Sequence, residues 1–207
     1  MKKIVLIAIL LPSAAFANPY LGFEYGVGSV EHDYQPVVKD RVLNPKMDEG
    51  IIGGFVGYKF NERWALELGY REYEVDDSIE VESFDSQYEY EEDWDAKASA
   101  KQLSIMPIYT VYSNQNWKLN VGAGVSYTMY DSHASYTKTR ERHFIGNEEV
   151  IEYQPEKSDD TNLWGGVVST SLNYFVTPQI ILSTEVKYQI DDYASLASLS
   201  FKMAYEF

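Results

Sequence analysis

The side chains of this sequence alternate. The last seven residues, "FKMAYEF", put Phe201, Met203, Tyr205 and Phe207 on one side and Lys202, Ala204 and Glu206 on the other. A period of two marks a β-strand with two unlike faces. The same period recurs earlier. Leu21, Phe23, Tyr25 and Val27 alternate with Gly22, Glu24, Gly26 and Gly28. Ile52, Val56, Tyr58 and Phe60 alternate with Gly53, Phe55, Gly57 and Lys59, and Trp64, Leu66, Leu68 and Tyr70 with Ala65, Glu67, Gly69 and Arg71. Stretches 102–112, 117–130, 164–175 and 180–190 repeat the pattern and bring the total to eight, with Lys118, Glu185 and Lys187 on the small, polar side. Each stretch is about 9–11 residues long, the length of a strand that crosses a bilayer. The apolar set is bulky and the other set is small or charged, the reverse of a soluble barrel, whose greasy side chains point inward. Bulky residues that cannot fit a narrow lumen must face lipid. No backbone group can be left open there, so the sheet must close on itself and the last strand must pair with the first. The expected fold is all-β: an eight-stranded antiparallel up-and-down transmembrane β-barrel with a polar interior.

The connections alternate in length. Asn61-Glu62-Arg63, Ser113 to Asn116 and Thr177-Pro178-Gln179 are tight turns. Segments 31–47, 72–95 and 132–160 are long, and 191–194 is short but lies on the long-loop side. Short turns on one rim and long loops on the other are the pattern of an outer-membrane barrel. The N-terminus agrees. Lys2 and Lys3, the apolar run Ile4 to Leu11 and the small-residue site Ala15-Phe16-Ala17 have the layout of a secretory signal peptide. The expected organisation is a signal peptide over 1–17 and a barrel domain over 18–207. The chain has no cysteine, so it cannot rely on disulfides. After residue 17 no apolar stretch is long enough for a transmembrane helix. The formal charge is −15, and −17 without Lys2 and Lys3, which argues against a nucleic-acid partner. The 18 tyrosines suit a membrane interface.

"FVGYKFNERWALELGYREYE", "LSIMPIYTVY" and the alternating tail ending in Phe207 resemble the small OmpA/OmpX-type outer-membrane barrels. Within that group, "VEHDYQP", "LNPK" and "YEEDWDAKASAKQ" resemble the accessory colonization factor (AcfA-like) proteins. The resemblance implies insertion by the barrel assembly machinery, which would read Tyr205 and Phe207 as the assembly signal. It also implies adhesion and colonisation rather than catalysis.

The residues offer several candidate sites. The inner faces carry four acids, Glu24, Glu67, Glu185 and Glu206, against five bases, Lys59, Arg71, Lys118, Lys187 and Lys202. Charges in a narrow lumen need partners, so an ion-pair network is expected, with Glu67, Arg71, Glu185 and Lys187 near its middle. It would serve as a plug, the other reading being a gated ion path; a structural or weakly conducting barrel without a dedicated ligand is the first alternative to a surface-binding function. Segment 72–95 holds twelve acids and no base, and it reads as a hairpin turning at Phe84-Asp85-Ser86. Segment 132–160 reads as a second hairpin, turning at Ile145-Gly146-Asn147, with Lys138, Arg140, Arg142 and His143 opposed to Glu148, Glu149 and Glu152. The surface-interaction residues expected on these hairpins are Phe84, Tyr88, Tyr90, Trp94, Lys138, Arg140, Arg142, Glu148 and Glu149. Open hairpin edges recruit strands, and the acidity favours basic partners. Lys97 and Lys101 are placed to meet lipopolysaccharide phosphates. His133 and Ser135 in "DSHASY" give a second alternative, a lipid A hydrolase, and "EYEEDWD" offers carboxylates to calcium without the spacing of an EF-hand loop. No cofactor is expected. The overall expectation is a monomeric, non-enzymatic surface protein that meets outer-membrane lipids, lipopolysaccharide and a host or neighbouring protein.

Overall fold

The computed structural model describes residues 18–32, 34–142, 148–155 and 158–207. The signal-peptide segment 1–17, His143 and the turn Ile145-Gly146-Asn147 lie outside the described residues, as do the side chains of Arg142 and Glu148. Eleven strands follow in chain order among the described residues: β1 Asn18–His32, β2 Val37–Val38, β3 Arg41–Val42, β4 Ile51–Lys59, β5 Trp64–Phe84, β6 Tyr88–Ser113, β7 Trp117–Arg142, β8 Glu148–Pro155, β9 Asp159–Phe175, β10 Ile180–Ile190 and β11 Ala194–Glu206. Eight of them close a ring in the order β1, β4, β5, β6, β7, β9, β10, β11 and back to β1, with every neighbour antiparallel. The closing seam runs from Tyr20 opposite Glu206 to His32 opposite Ala194. These eight strands contain the eight alternating stretches of the sequence.

The two faces meet two solvents. Phe23 and Phe201 are 68% and 67% exposed on the outside, while their register neighbours Glu24 and Lys202 are buried in the lumen. Val121 is also exposed and Leu66 is half-buried. Outward aromatics bracket this apolar wall. Trp117 packs on Tyr174 at 4.7 Å between ring centroids, and Tyr127 packs on Trp164 at 5.0 Å. About ten residues separate the two pairs along tilted strands, or about 25 Å of height, the thickness of an outer-membrane apolar band.

The lumen is more layered than the small, polar set read from sequence. A lower apolar layer holds Tyr20, Phe55, Ile181 and Ala204, with Met106, Ile108 and Val167 beside it. An upper layer holds Ile51, Tyr73, Ala100, Tyr130, Ala194 and Leu196. Buried charged and hydroxyl side chains fill the rest, and two glycines make room for them. A Cβ on Gly57 would stand 2.0 Å from the Tyr20 ring, and one on Gly53 would stand 2.8 Å from the Glu24 side chain.

Five hairpin turns share one device. Asn61, Asp85, Asn114, Thr177 and Asp191 each accept, through a side-chain oxygen, the backbone N–H groups two and three residues on, at 2.7–3.3 Å. This is the Asx- or hydroxyl-turn geometry that such residues favour.

Candidate functional site

Segments 72–95 and 132–160 are mostly strand rather than loop. β6 and β7 each run for 26 residues and β5 for 21, far longer than a bilayer needs. Their upper halves stay paired, from Glu72 opposite Lys101 to Phe84 opposite Glu89, and from Lys97 opposite His133 to Tyr88 opposite Arg142. β8 joins the far side of β7. The result is a four-stranded fin that continues the barrel wall above the membrane.

The fin sorts its charge by face. The face that continues the lipid side carries Asp76, Glu80, Glu82, Glu89, Glu91, Asp93, Asp95 and Glu141, and the register sets Glu80 opposite Asp93, Glu82 opposite Glu91, and Glu89 opposite Glu141. Like charges directly across a ladder destabilise it. Carboxylate oxygens of Glu80, Glu91 and Asp93 come within 4.8 Å of one another, a spacing that suits a hard divalent cation.

The face that continues the lumen is aromatic and basic. Lys39 lies over the Tyr136 ring at 3.9 Å, Arg41 over Trp94 at 4.3 Å, Arg140 over Tyr88 at 5.2 Å and Lys138 over Tyr90 at 5.4 Å. The same cations reach carboxylates: Lys39 pairs with Glu152 at 2.7 Å, Lys138 with Glu92 at 2.5 Å and Arg140 with Glu149 at 2.6 Å. Lys138 stands between Glu92 on β6 and Glu152 on β8 in the two ladders and pairs with Glu92, while Lys39 holds Glu152. The Lys138 hydrogen bond holds the Glu92 carboxyl below the usual carboxylate range, and Glu92 in turn raises Lys138.

Trp94 corrects the sequence reading. It is not a surface residue of the hairpin. It is 4% exposed and packs with Val38, Leu43, Ala96, Ala134 and Tyr136. The cause is the segment 31–47, which folds over the mouth as a small hairpin of β2 and β3. Lys39 and Asp40 form its turn, with φ of 42° and 69°, the sign that a two-residue hairpin turn requires. Val38 and Leu43 point down onto Trp94 and Tyr136. A backbone bridge between Lys46 and Asp76 and a 2.8 Å bond from His32 Nε2 to the Pro45 carbonyl tie the segment down. By contrast, Phe84 stands exposed near the tip of the fin, and Tyr88 and Tyr90 are half-buried.

β8 is one open edge of the fin, the other being β5 above Asp76. β8 pairs with β7 alone among the described residues. Val150 and Tyr153 are each 60% exposed, and Ile151, skipped by the ladder as a bulge between Val150 and Glu152, is also exposed.

Within the lumen, Lys187 pairs with Glu24 at 3.3 Å and Glu185 at 2.8 Å, and Lys202 pairs with Glu185 at 3.2 Å and Glu67 at 2.8 Å. Arg71 lies outside this chain of ion pairs. It donates instead to Gln102 at 2.6 Å, Gln189 at 3.0 Å and Ser198 at 3.3 Å. Gln102 and Gln189, which sequence reasoning left without a role, both donate to Thr128, and Gln189 and Tyr130 carry the network up to Asp191. At the lower rim Glu206 accepts from Lys59 and Asn18. Lys118, expected in the network, has no carboxylate partner among the described residues; its ammonium stands 5.0 Å from the Phe175 ring centroid.

Lys97 is held by Glu74 on the outward face, and Lys101, exposed beside it, stands opposite Glu72. His133 and Ser135 share the outward face of β7, opposite Lys97 and Asp95, with no hydrogen bond between them. Tyr205 and Phe207 face outward, edge to face at 5.1 Å, and the Phe207 N–H donates to the Pro19 carbonyl across the seam.

A closed sheet with an apolar outer band, two aromatic girdles and a packed, charged lumen defines a small transmembrane β-barrel. The outer membrane protein beta-barrel domain profile matches residues 4–207, and the chain belongs to that family. It is an outer-membrane protein. Similar solved structures include Ail, the attachment invasion locus protein of Yersinia pestis, in complex with the heparin analogue sucrose octasulfate: 13% identity, 93% of this chain and 99% of that one covered, TM-score 0.51. Neisserial surface protein A is another, at 14% identity, 91% and 97% coverage and TM-score 0.51. At these identities the likeness is one of fold. No curated protein matches the chain.

Proposed function

We propose that the fin is an adhesive surface that captures an extended segment of a host or neighbouring cell-surface protein along β8. The observation that carries this reading is the open edge of β8 with Val150, Ile151 and Tyr153 exposed on it. An unpaired strand offers a row of N–H and C=O groups, and alternate side chains add selectivity. Natural edges are usually blunted with charge, lysine above all, with proline or with a bulge, and of these β8 has three glutamates and the bulge at Ile151. Proline stands only at the end of β8, at Pro155, and β8 has no lysine. The acidic outer face of the fin favours a basic segment and repels polyanions. This sets the chain apart from Ail, which was solved with a sulfated ligand. The resemblance to accessory colonization factor proteins belongs to the same reading, as do lipopolysaccharide at Lys97 and Lys101 and insertion through Tyr205 and Phe207.

The test is bacterial adherence to cultured host cells. Val150→Lys combined with Tyr153→Lys places lysines on the edge. Adherence is expected to fall to the level of a strain lacking the protein, while the barrel still migrates as a folded band on an unheated gel. Full adherence by the folded variant overturns the proposal. Two companion measurements separate the alternatives. Ser135→Ala is expected to leave lipid A unchanged, and planar bilayers containing the protein are expected to show no steady conductance, because the lumen is filled from Glu206 to Asp191.

A further inference from the structure

We propose that the periplasmic mouth of the barrel is a binding site for a small oxyanion, either free inorganic phosphate or the carboxylate of a small organic acid, held by Lys118. The proposal begins with the charge balance of the lumen. In its middle three acids, Glu24, Glu67 and Glu185, match three bases in number: Lys187 and Lys202 pair with them directly, and Arg71 is held by Gln102, Gln189 and Ser198. At the lower rim Lys59 is taken by Glu206. Lys118 is the cation left over, and the aromatic face of Phe175 covers one side of its ammonium without neutralising it. Asp191, the remaining acid that touches the network, lies at the far end. The register runs from Lys118 to Asn173 to Ser183, and Asp191 is about 26 Å further up β10 at the rise of a strand. A cation half-removed from water, with no carboxylate in ion-pair contact among the described residues, can take an exchangeable anion.

The surroundings fit that occupant. A cavity of about 60 Å³ opens at this end, lined by Lys118, Thr110, Asn120, Ser171, Asn173 and Phe175 among others. That is room for one small oxyanion or a few waters. Apart from Phe175 these are groups that donate hydrogen bonds to an anion, namely hydroxyls, amides and an ammonium; of the acids that also line the cavity, Glu67 and Glu185 are held by Lys202 and Lys187, and Glu62 lies on the turn beside Arg63. Thr110 donates to the Asn120 side-chain oxygen at 3.0 Å, which orients the amide and leaves its N–H groups to donate. The site also has the right sign for its place. The acidic outer face of the fin keeps anions away from the extracellular end, whereas the side chains at the periplasmic mouth set Lys59, Arg63 and Lys118 against Glu62 and Glu206.

The experiment is a chemical-shift titration of isotope-labelled, refolded barrel in detergent micelles. Inorganic phosphate and acetate are the two probes, and sodium chloride at matched ionic strength is the control. The backbone amides of Thr110, Lys118, Asn120 and Asn173 are expected to shift saturably with at least one probe, while those of Tyr130 and Asp191 stay in place. Saturation with phosphate alone assigns the site to the free ion, saturation with acetate alone to carboxylates, and saturation with both to oxyanions in general. Lys118→Gln is expected to weaken binding about tenfold or more, the scale of one lost charge-assisted hydrogen bond. Lys118→Arg keeps the charge and is expected to keep binding. Asn173→Ala is expected to weaken it with no change in charge. The folded gel band of each variant shows that the barrel is intact. Shifts that do not saturate, shifts that chloride reproduces, or a Lys118→Gln variant that titrates like the parent overturn the proposal.

Discussion

Single residues in this molecule differ most in whether their charge is shared. Glu185 is 2% exposed and touches both Lys187 and Lys202. Replacing it with alanine leaves Lys187 to Glu24 alone and Lys202 to Glu67 alone, and sets three buried cations, Arg71 among them, against two acids. Breaking such a buried network costs about 3–5 kcal/mol. The Glu185→Ala barrel is therefore expected to unfold at clearly lower urea, read as the midpoint at which the folded gel band disappears. Glu185→Gln keeps a carbonyl acceptor and should fall between the two. On the fin the contrast is strong: Glu149, paired with Arg140 on an exposed surface, should shift the midpoint by nothing measurable when changed to alanine. The alternation of the sequence reveals which residues face inward, and so Glu24, Glu67, Arg71, Glu185, Lys187 and Lys202 were legible together. Their partners were not. Who pairs with whom depends on the stagger between strands, which makes Lys118 the odd cation and gives Arg71 three neutral acceptors. Trp94 was misjudged although its phase was available: it is even-numbered like Gln102, Ala100, Ala98 and Ala96, all buried on the inner face of β6.

At the scale of elements, the fin is held by charge where the barrel is held by the membrane. Glu92 has a lowered folded value, so its pairing with Lys138 stabilises the hairpin above the ordinary carboxylate range and is lost as pH falls through the folded value. Lys138 is raised, so its share is present up to its ordinary value and is lost only when pH rises past the folded value. Amide hydrogen exchange is thus expected to show protected fin amides near neutral pH. After correction for the intrinsic rate, protection around Glu92 and Lys138 should drop below about pH 4, the unperturbed range of a carboxylate, while Ser200 and Ser126 in the barrel stay protected. Equal loss in both regions would count against the ion pair as the support. The eight barrel strands were legible because lipid outside and a packed lumen inside impose strict alternation. The hairpin of β2 and β3 was not. Its strands have two residues each, too short to show a period, and its turn uses Lys39 and Asp40 where glycine or asparagine would have signalled positive φ. The upper reach of β5 and β6 was legible as a hairpin, since Asp85 marks its turn and Ile79 and Val81 keep the phase.

The whole molecule restricts what can occupy the open edge. The strands of the fin are the barrel strands continued, so the fin stands up from the membrane. Pairing β8 antiparallel with β8 of a second copy needs a two-fold axis perpendicular to the sheet. In an upright fin that axis lies in the plane of the membrane, and it would carry the second barrel to the other side of the contact, into an opposing membrane. A two-fold along the membrane normal instead sets the two edges parallel with like residues facing each other, and a parallel ladder, whose bonds are slanted and offset, does not accept that arrangement. Copies in one bilayer therefore cannot pair β8 with β8, and the formal charge of −15 adds repulsion. The edge stays available to an extended segment from another molecule. The natural chain has no cysteine, so a single Tyr153→Cys substitution is a clean reporter. Oxidant added to a dilute suspension of cells bearing this variant is expected to leave a monomer on a non-reducing gel. A disulfide-linked dimer formed at high yield within one membrane would show that the edges do meet, and would overturn both the proposed monomeric state and the geometric argument behind it.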